Sequence, residues 1–193
     1  QPLFQMLVFT LVLGKMAGMP SDGAPYAIFA FVGLLPWTFF ANALTGSSGS
    51  LIANAGMLNK IYFPRRVMPL SATIAKMMDF VIASLILIFL LIFYQKLPSI
   101  YVLYAPLLIL ILFMTAVGIG CFLTALAIQY RDIQYAMGFG VQLAMYASPV
   151  VYSSTLVPLE WRGLYAMNPM GGVIEGFRSI FLNTIEFPLT WVL

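Results

Sequence analysis

The chain has 193 residues, of which nine are Lys or Arg, six are Asp or Glu and none is His, for a formal net charge of +3. Hydrophobic residues make up 62% of the chain and charged residues only 8%, whereas roughly a quarter of the residues in a soluble domain are charged. This composition excludes an ordinary soluble domain, and the small, scattered positive charge argues against nucleic acid as a partner.

Long uncharged stretches divide the chain. No charged residue lies in 23–59, 97–130 or 133–159. A helix needs roughly 20 largely apolar residues to cross a bilayer, and the apolar runs here lack the period-two alternation of barrel strands. Because backbone groups in lipid must be hydrogen-bonded within the protein, we predict an all-α, polytopic transmembrane helical bundle.

Five membrane spans are predicted in chain order. Their approximate bounds are the start of the chain to Gly14, 25–44, 70–94, 100–128 and 135–151, with Pro149 kinking or ending the last. The polar stretch 45–50 is either a loop or the continuation of a close-packed helix, because small residues let membrane helices approach. Since the sequence begins and ends in apolar segments, we expect 1–193 to be a single transmembrane domain that is a fragment, lacking parts of its first and last helices.

The charges in the loops set the predicted orientation, because Lys and Arg are favoured on the cytoplasmic side. Alternating spans place four basic residues on each side, so the raw counts tie. The cluster of Lys60, Arg65 and Arg66 is dense and has no acidic residue nearby. We therefore place 54–69 in the cytoplasm.

The region 152–188 after the fifth span is semi-polar. It contains Trp161, Tyr165 and four charged residues before Glu186, and its apolar pieces are too short to span. Segments of about 10 to 14 residues are typical of interfacial or re-entrant helices, which are tolerated at membrane depth where protein or a cavity shields the backbone. We predict an outer re-entrant or interfacial region at 152–188.

Residues that carry catalytic or metal-binding chemistry are scarce. Without His, these residues hold no His-based triad and no His-containing metal site. There is no G-x-x-x-x-G-K phosphate loop, so the chain does not hydrolyse ATP by that route. Cys121 lies in an apolar run and is interpreted as a small packing residue. We predict no catalytic residue, no metal and no cofactor.

Two charged residues, Lys76 and Asp79, lie three apart on the third span and therefore on one helical face. Charges inside a membrane are costly and are usually paired or face an interior cavity. We favour a neutralised pair that packs the bundle, or a snorkelling lysine, over a transport role. A proton-coupled transporter would nevertheless need a carboxylate such as Asp79.

The predicted cytoplasmic segment 54–69 mixes apolar and basic side chains, with the sequence NKIYFPRRVMP at 59–69. A solvated loop has little reason to expose Ile, Tyr, Phe, Val and Met beside three cations. The pattern is typical of a short amphipathic helix that lies on the membrane or docks into a partner's groove. The residues alone leave both alternatives open.

Aromatic residues make up 15% of the chain, and an interfacial belt explains part of them. Trp37, Phe39 and Phe40 in the second span and Tyr146 in the fifth are less easily assigned to a belt. Aromatic faces stack well on sugar rings, although bundle packing is their commoner use. The serines of 45–50 have the same two interpretations, a polar lining or close helix packing.

With these segments placed, the sequence resembles the permease subunit of type 2 ABC exporters, in the branch that exports O-antigen, capsular and teichoic-acid polysaccharides. The resemblance covers nearly the whole chain. It rests on GLLPWTFF at 33–40, NKIYFPR at 59–65 with PL at 69–70, YRDI at 130–133, SPVVY at 148–152, LVP at 156–158, WR at 161–162 and NPMGGVIEGFR at 168–178.

The resemblance implies a six-helix subunit in the bacterial cytoplasmic (inner) membrane, a multi-pass homodimer bound to two separate ATP-binding cassette subunits that hydrolyse ATP. A lipid-linked polysaccharide would pass through a channel at the dimer axis, surrounded by membrane lipid. The segment 54–69 would be the helix that couples the permease to the ATPase. Its implied contact residues are Lys60, Tyr62, Phe63, Pro64 and Arg65.

Two further sets of residues follow from the resemblance. Tyr130, Arg131 and Asp132 are assigned to a cytoplasmic loop after the fourth span. The channel lining is assigned to aromatic residues of the second and fifth spans and the region after them. These are Trp37, Phe40, Tyr146 and Tyr152.

Three rival functions are weighed. A drug or lipid exporter of the same superfamily shares the architecture and differs in cargo. A secondary transporter driven by protons through Asp79 would not need ATP. A membrane-embedded enzyme, such as a glycan transferase, is disfavoured because no clustered outer carboxylates form an acid/base arrangement; Glu160 and Glu175 are isolated and could pair with Arg162 and Arg178.

Overall fold

The computed structural model describes residues 2–21, 23–54, 56, 64, 67–96, 98–130, 132–153 and 168–183. Every regular element in these ranges is a helix, which confirms the predicted all-α class for the described part of the chain. The elements are α1 (Pro2–Phe9), continued by a π-helix (Thr10–Met16), α2 (Tyr26–Ala53), α3 (Val67–Phe93), a 3-10 helix (Ile100–Tyr104) that runs into α4 (Ala105–Gln129), α5 (Asp132–Ala147) and α6 (Pro169–Leu182).

Three of the described helices are long and apolar enough to cross a membrane, namely α2, α3 and the continuous helix Ile100–Gln129. They coincide with the second, third and fourth predicted spans. The first predicted span is the shorter apolar helix Pro2–Met16, which ends two residues later than expected. The fifth is α5, whose 16 residues measure about 24 Å. Pro149 lies in the turn after α5, so it follows the end of that helix and does not kink it.

Helix α2 is the centre of the bundle. Of its 28 residues, 20 are buried, and it contacts all five other α-helices. A helix that is apolar on all sides is suited to such a position. The stretch 45–50, which was either loop or helix by sequence, continues α2 without a break.

Helices α3 and α4 lie at the edge of the bundle and bury one face each. Only seven of the 27 residues of α3 and six of the 25 residues of α4 are buried. The buried positions of α4 recur every four residues from Leu108 to Thr124, as expected for one stripe on a helix. Their remaining surface is mostly exposed and apolar, which suits contact with lipid or with another membrane helix.

A polar seam joins the second half of α2 to α3 and α4. The hydroxyl of Ser47 lies 3.0 Å from that of Thr73 and donates to the carbonyl of Pro69 at 3.2 Å. Thr124 donates to the carbonyl of Ser47 at 2.9 Å. A Cβ at Gly120 would lie 3.1 Å from Ser47, so small residues set the helix spacing here. Ser47 therefore packs helices together, and the buried Ser48 and Ser50 likewise do not line an open surface of this chain.

Helix α6 lies inside the bundle, with 12 of its 14 residues buried. It is capped at its start by Asn168, whose side chain accepts from the backbone N–H of Met170 at 3.0 Å.

A Cβ at Gly176 would lie 2.8 Å from Leu108, so this glycine lets α6 approach α4. The re-entrant or interfacial character of 152–188 stays a prediction.

Candidate functional site

The most polar site in the described bundle is an ion pair within α6. The Nη1 atom of Arg178 lies 3.2 Å from Oε1 of Glu175, and the two side chains are 0% and 2% exposed. The predicted pairing of these two residues is confirmed. Their complete burial was not predicted, because the flanking sequence looked semi-polar.

The guanidinium of Arg178 also binds backbone that lies far away in the sequence. Its Nη2 donates to the carbonyl of Val150 at 2.8 Å, and its Nη1 donates to the carbonyl of Tyr152 at 3.0 Å. Its Cζ lies 3.8 Å from the centre of the Phe29 ring on α2, a distance typical of a cation–π contact. One side chain thus joins α6, α2 and the turn that follows α5.

Sequence reasoning missed this cluster, although two signals for it are present. Glu175 and Arg178 are spaced three apart in an otherwise apolar helix, which places them on one face. Gly33 lies in the middle of α2, where a Cβ would overlap the carbonyl oxygen of Val150 and lie 3.0 Å from Nη2 of Arg178. A glycine inside a helix costs stability, so its presence points to a close approach by another segment.

The second ion pair is on α3 and has a different environment. The Nζ atom of Lys76 lies 3.6 Å from Oδ2 of Asp79, and the side chains are 39% and 65% exposed. The two residues line a cavity of about 280 Å³ together with Thr38 and Asn42 of α2 and Leu3 of α1. The pair is therefore formed as the spacing predicted, and it faces a partly polar cavity.

The four aromatic residues assigned to the channel lining fall into two groups. Trp37 and Phe40 are 4% and 6% exposed, and their rings pack on each other with centroids 5.6 Å apart. Tyr146 is 56% exposed, and the hydroxyl of the half-buried Tyr152 donates to its carbonyl at 3.0 Å. The assignment of all four to a channel stays a prediction, since the structure holds a single chain.

Tyr146 belongs to an exposed face of α5. Tyr135, Phe139 and Leu143 lie on the same side of the helix, at the four-residue spacing that forms one stripe, and all three are more than half exposed. A solvent-facing helix would not show such a stripe. This face is suited to another copy of the chain, to lipid or to a ligand with apolar and aromatic surfaces.

The predicted ATPase-contact residues lie almost entirely outside the described part of the chain. Among Lys60, Tyr62, Phe63, Pro64 and Arg65, the structure describes only Pro64, which is exposed and whose carbonyl accepts from the N–H of Val67 at 3.0 Å. In the predicted loop after α4, Arg131 is likewise outside the description.

The two flanking residues of that loop are described. Tyr130 is exposed. Asp132 is the first residue of α5, where its carboxylate interacts favourably with the positive end of the helix dipole. Within the described residues, no group of three or more His, Cys, Asp or Glu is arranged to hold a metal ion.

Comparison with known proteins gives the family. Residues 1–182 match the family described as ABC-2 type transporter. Because this match covers nearly the whole chain, the chain belongs to the ABC-2 type transporter family. The resemblance to type 2 ABC exporters seen in the sequence is thereby confirmed at the level of the family, as is the prediction that the chain is a component of a transporter.

Several curated proteins are similar over most of the chain. An O-antigen export system permease protein RfbA of Klebsiella pneumoniae is 30% identical over 159 residues, which are 82% of this chain and 61% of that protein. The Myxococcus xanthus protein of the same name is 29% identical over 182 residues, 93% of this chain and 69% of that protein. The inner membrane transport permease YadH of Escherichia coli (strain K12) is 38% identical over 60 residues, which are 31% of this chain and 23% of YadH.

The chain thus spans about three fifths of the length of the Klebsiella relatives it matches.

Proposed function

We propose that the chain forms half of the membrane channel of an ATP-driven exporter that moves lipid-linked polysaccharide across the bacterial cytoplasmic membrane. The observation that carries this proposal is the similarity to O-antigen export permeases, which extends over 82% to 93% of the chain. The match to YadH covers only 31% of the chain. This difference in coverage favours polysaccharide as the exported substrate, because the name of YadH specifies no substrate.

ATP hydrolysis is assigned to a separate partner with ATP-binding cassettes. The chain has no phosphate loop of its own, and its family is that of ABC-2 type transporters. The segment 54–69 is the proposed coupling element, because it connects α2 to α3 and combines basic residues with Ile, Tyr and Phe. Such a segment is suited to a groove on a partner protein.

A second copy of the chain is proposed to complete the channel. The exposed stripe of Tyr135, Phe139 and Tyr146 on α5 offers aromatic faces, and Tyr152 lies directly beside Tyr146. Trp37 and Phe40 are buried in this chain, so they support the channel wall in this arrangement and reach the glycan only if the helices separate. The geometry thus favours Tyr146 and Tyr152 among the four residues assigned to the lining.

The six-helix exporter fold is part of the same proposal. Burial of α6 on nearly all sides supports a re-entrant helix in the region 152–188. In the proposed orientation, 54–69 faces the cytoplasm and α6 enters from the outer side. ATP-driven closure of the partner subunits moves the coupling segments, and this movement opens the bundle at the dimer axis.

An ion-driven transporter is the second candidate, and one observation favours it. Lys76 and Asp79 face a cavity between α1, α2 and α3, and a partly exposed carboxylate at membrane depth is a feature of proton-coupled transport. The two candidates differ in their need for ATP and for the Asp79 carboxylate.

The proposed function is tested with the full-length protein and the ATPase encoded beside its gene. The test variant replaces Tyr62, Phe63 and Arg65 by Ala. A matched control replaces Tyr101, Tyr104 and Lys96, two aromatic residues and one cation at the opposite end of α3 and α4. We expect co-purification of the ATPase to fall about tenfold or more, as for loss of an interface hot spot, and glycan export to fall with it.

The control variant is expected to retain both the ATPase and export. Equal loss in both variants, or export by the test variant with normal membrane insertion, would contradict the coupling role of 54–69.

A further inference from the structure

We propose that Arg178 is a positioning residue, whose guanidinium clamps residues 148–153, called here the clamped turn, and holds Tyr152 at the end of α5. The proposal rests on the proposed function in one respect, since it places this turn beside the path of the glycan. The clamp itself is argued from contacts within this chain.

Three successive backbone carbonyls of the clamped turn are bound by side chains from other helices. Arg178 binds those of Val150 and Tyr152, and between them the hydroxyl of Tyr26 donates to the carbonyl of Val151 at 2.7 Å. A buried carbonyl without a donor is costly. Side chains of α2 and α6 therefore fix the turn where α5 can no longer supply helical hydrogen bonds.

The clamped turn is also fixed at its beginning by α6. The side-chain nitrogen of Asn168 donates to the hydroxyl of Ser148 at 2.8 Å. Asn168 is at the start of α6 and Arg178 is near its end, so the helix binds both ends of the turn. Tyr152 in turn donates to the carbonyl of Tyr146, which ties its ring to the last turn of α5.

The contacts require arginine and not merely a positive charge. The planar guanidinium of Arg178 binds the carboxylate of Glu175 and two backbone carbonyls, and its face stacks on the ring of Phe29. A lysine ammonium is a compact point charge, which preserves the ion pair but lacks the planar fork and the stacking surface. Arg178→Lys therefore separates two roles, neutralising Glu175 and clamping the turn.

The experiment measures exposure of the clamped turn in the full-length protein in its membrane. In a background where Cys121 and every other cysteine are replaced, Val151→Cys places a thiol at a buried position of similar size. Its labelling rate by a small maleimide is compared for Arg178, Arg178→Lys, Arg178→Met and Tyr26→Phe. Ile100→Cys, at an exposed position before α4 and outside the proposed channel, is the control that reports intact labelling conditions.

We expect Arg178→Lys and Arg178→Met to raise Val151→Cys labelling about tenfold, because local opening of the turn becomes more frequent. Tyr26→Phe, which removes one of three carbonyl contacts, is expected to raise it about twofold to threefold. Ile100→Cys labelling stays unchanged. If Arg178→Met does not accumulate, the labelling rates of Arg178→Lys and Tyr26→Phe still test the clamp.

The same variants, with Val151 restored, are tested for ATP hydrolysis and glycan export. We expect the Arg178→Lys complex to hydrolyse ATP within about twofold of the original rate, because the proposed orientation puts α6 on the side away from the ATPase. Most of the export should be lost. Wild-type labelling in Arg178→Lys overturns the clamp. Faster labelling with undiminished export overturns the role of the turn in transport.

Failure of the clamp can be distinguished from failure of the proposed function, because the labelling rate does not depend on any exported glycan.

Discussion

The two ion pairs seen among the described residues have the same spacing and opposite environments. Glu175 and Arg178 are 2% and 0% exposed, whereas Lys76 and Asp79 are 39% and 65% exposed. The buried pair has further hydrogen bonds to the turn after α5, and its charge is enclosed on all sides. The exposed pair lies beside a cavity, where a ligand or an ion can contact its charges.

The difference shows that an i, i+3 pair of charges has no fixed role in a membrane protein. Burying a charged pair is costly, and removal of one partner leaves an uncompensated charge. An exposed pair contributes little to stability. The α6 pair is therefore part of the architecture, whereas the α3 pair is the one available for exchange with a ligand or an ion.

The largest expected effect comes from removing one carboxylate charge from each pair. Glu175→Gln should destabilise the protein by about 3–5 kcal/mol, because it leaves the buried arginine uncompensated. Asp79→Asn, the matched change at the exposed pair, should cost about 0–1 kcal/mol. The measurement is the midpoint of thermal unfolding of the purified full-length complex, with the yield of inserted protein as a second readout.

Equal shifts for the two variants would mean that the burial of the α6 pair does not distinguish it from the α3 pair. A larger shift for Asp79→Asn would reverse the comparison.

A smaller effect is expected at Gly33, the α2 position against which the clamped turn rests. Gly33→Ala should destabilise the protein by about 1–3 kcal/mol, because the added methyl group collides with the carbonyl of Val150 and overpacks the site. Gly118→Ala is the matched control on α4, where nothing lies within 4 Å of the added carbon. That variant should gain up to about 1 kcal/mol from its higher helix propensity.

The two glycine variants thus shift the unfolding midpoint in opposite directions. A stabilised Gly33→Ala variant would show that the turn is not held close to α2.

Much of the helical architecture follows from the sequence, because apolar length decides it. The predicted bounds of α3 and α4 and the predicted start of α2 lie within a few residues of the observed ones, whereas α2 ends nine residues later than predicted; the apolar stretches set these positions because charged residues are excluded from them. The end of α2 was left open, because Thr45 to Ser50 are residues of loops and also of tight helix contacts. Only the partners of Ser47 on α3 and α4 decide between the two.

The buried cluster around Arg178 was beyond the reach of local patterns. Its pairing with Glu175 follows from the spacing, but its contacts with Val150 and Tyr152 connect residues 28 and 26 positions away. Such contacts depend on how α6 packs against α2. Burial of Trp37 and Phe40 is a similar case, because an apolar helix gives no sign of which side faces the core.

We propose above that the full-length protein exports polysaccharide in a process driven by ATP. This claim is tested most directly in proteoliposomes that contain the full-length protein, its ATPase and a lipid-linked glycan, with ATP or a proton gradient as the energy source. We predict glycan movement that requires ATP, persists when the gradient is dissipated and changes less than about twofold in Asp79→Asn, since the exposed pair is not required. Movement driven by the gradient without ATP, and lost in Asp79→Asn, would contradict the claim.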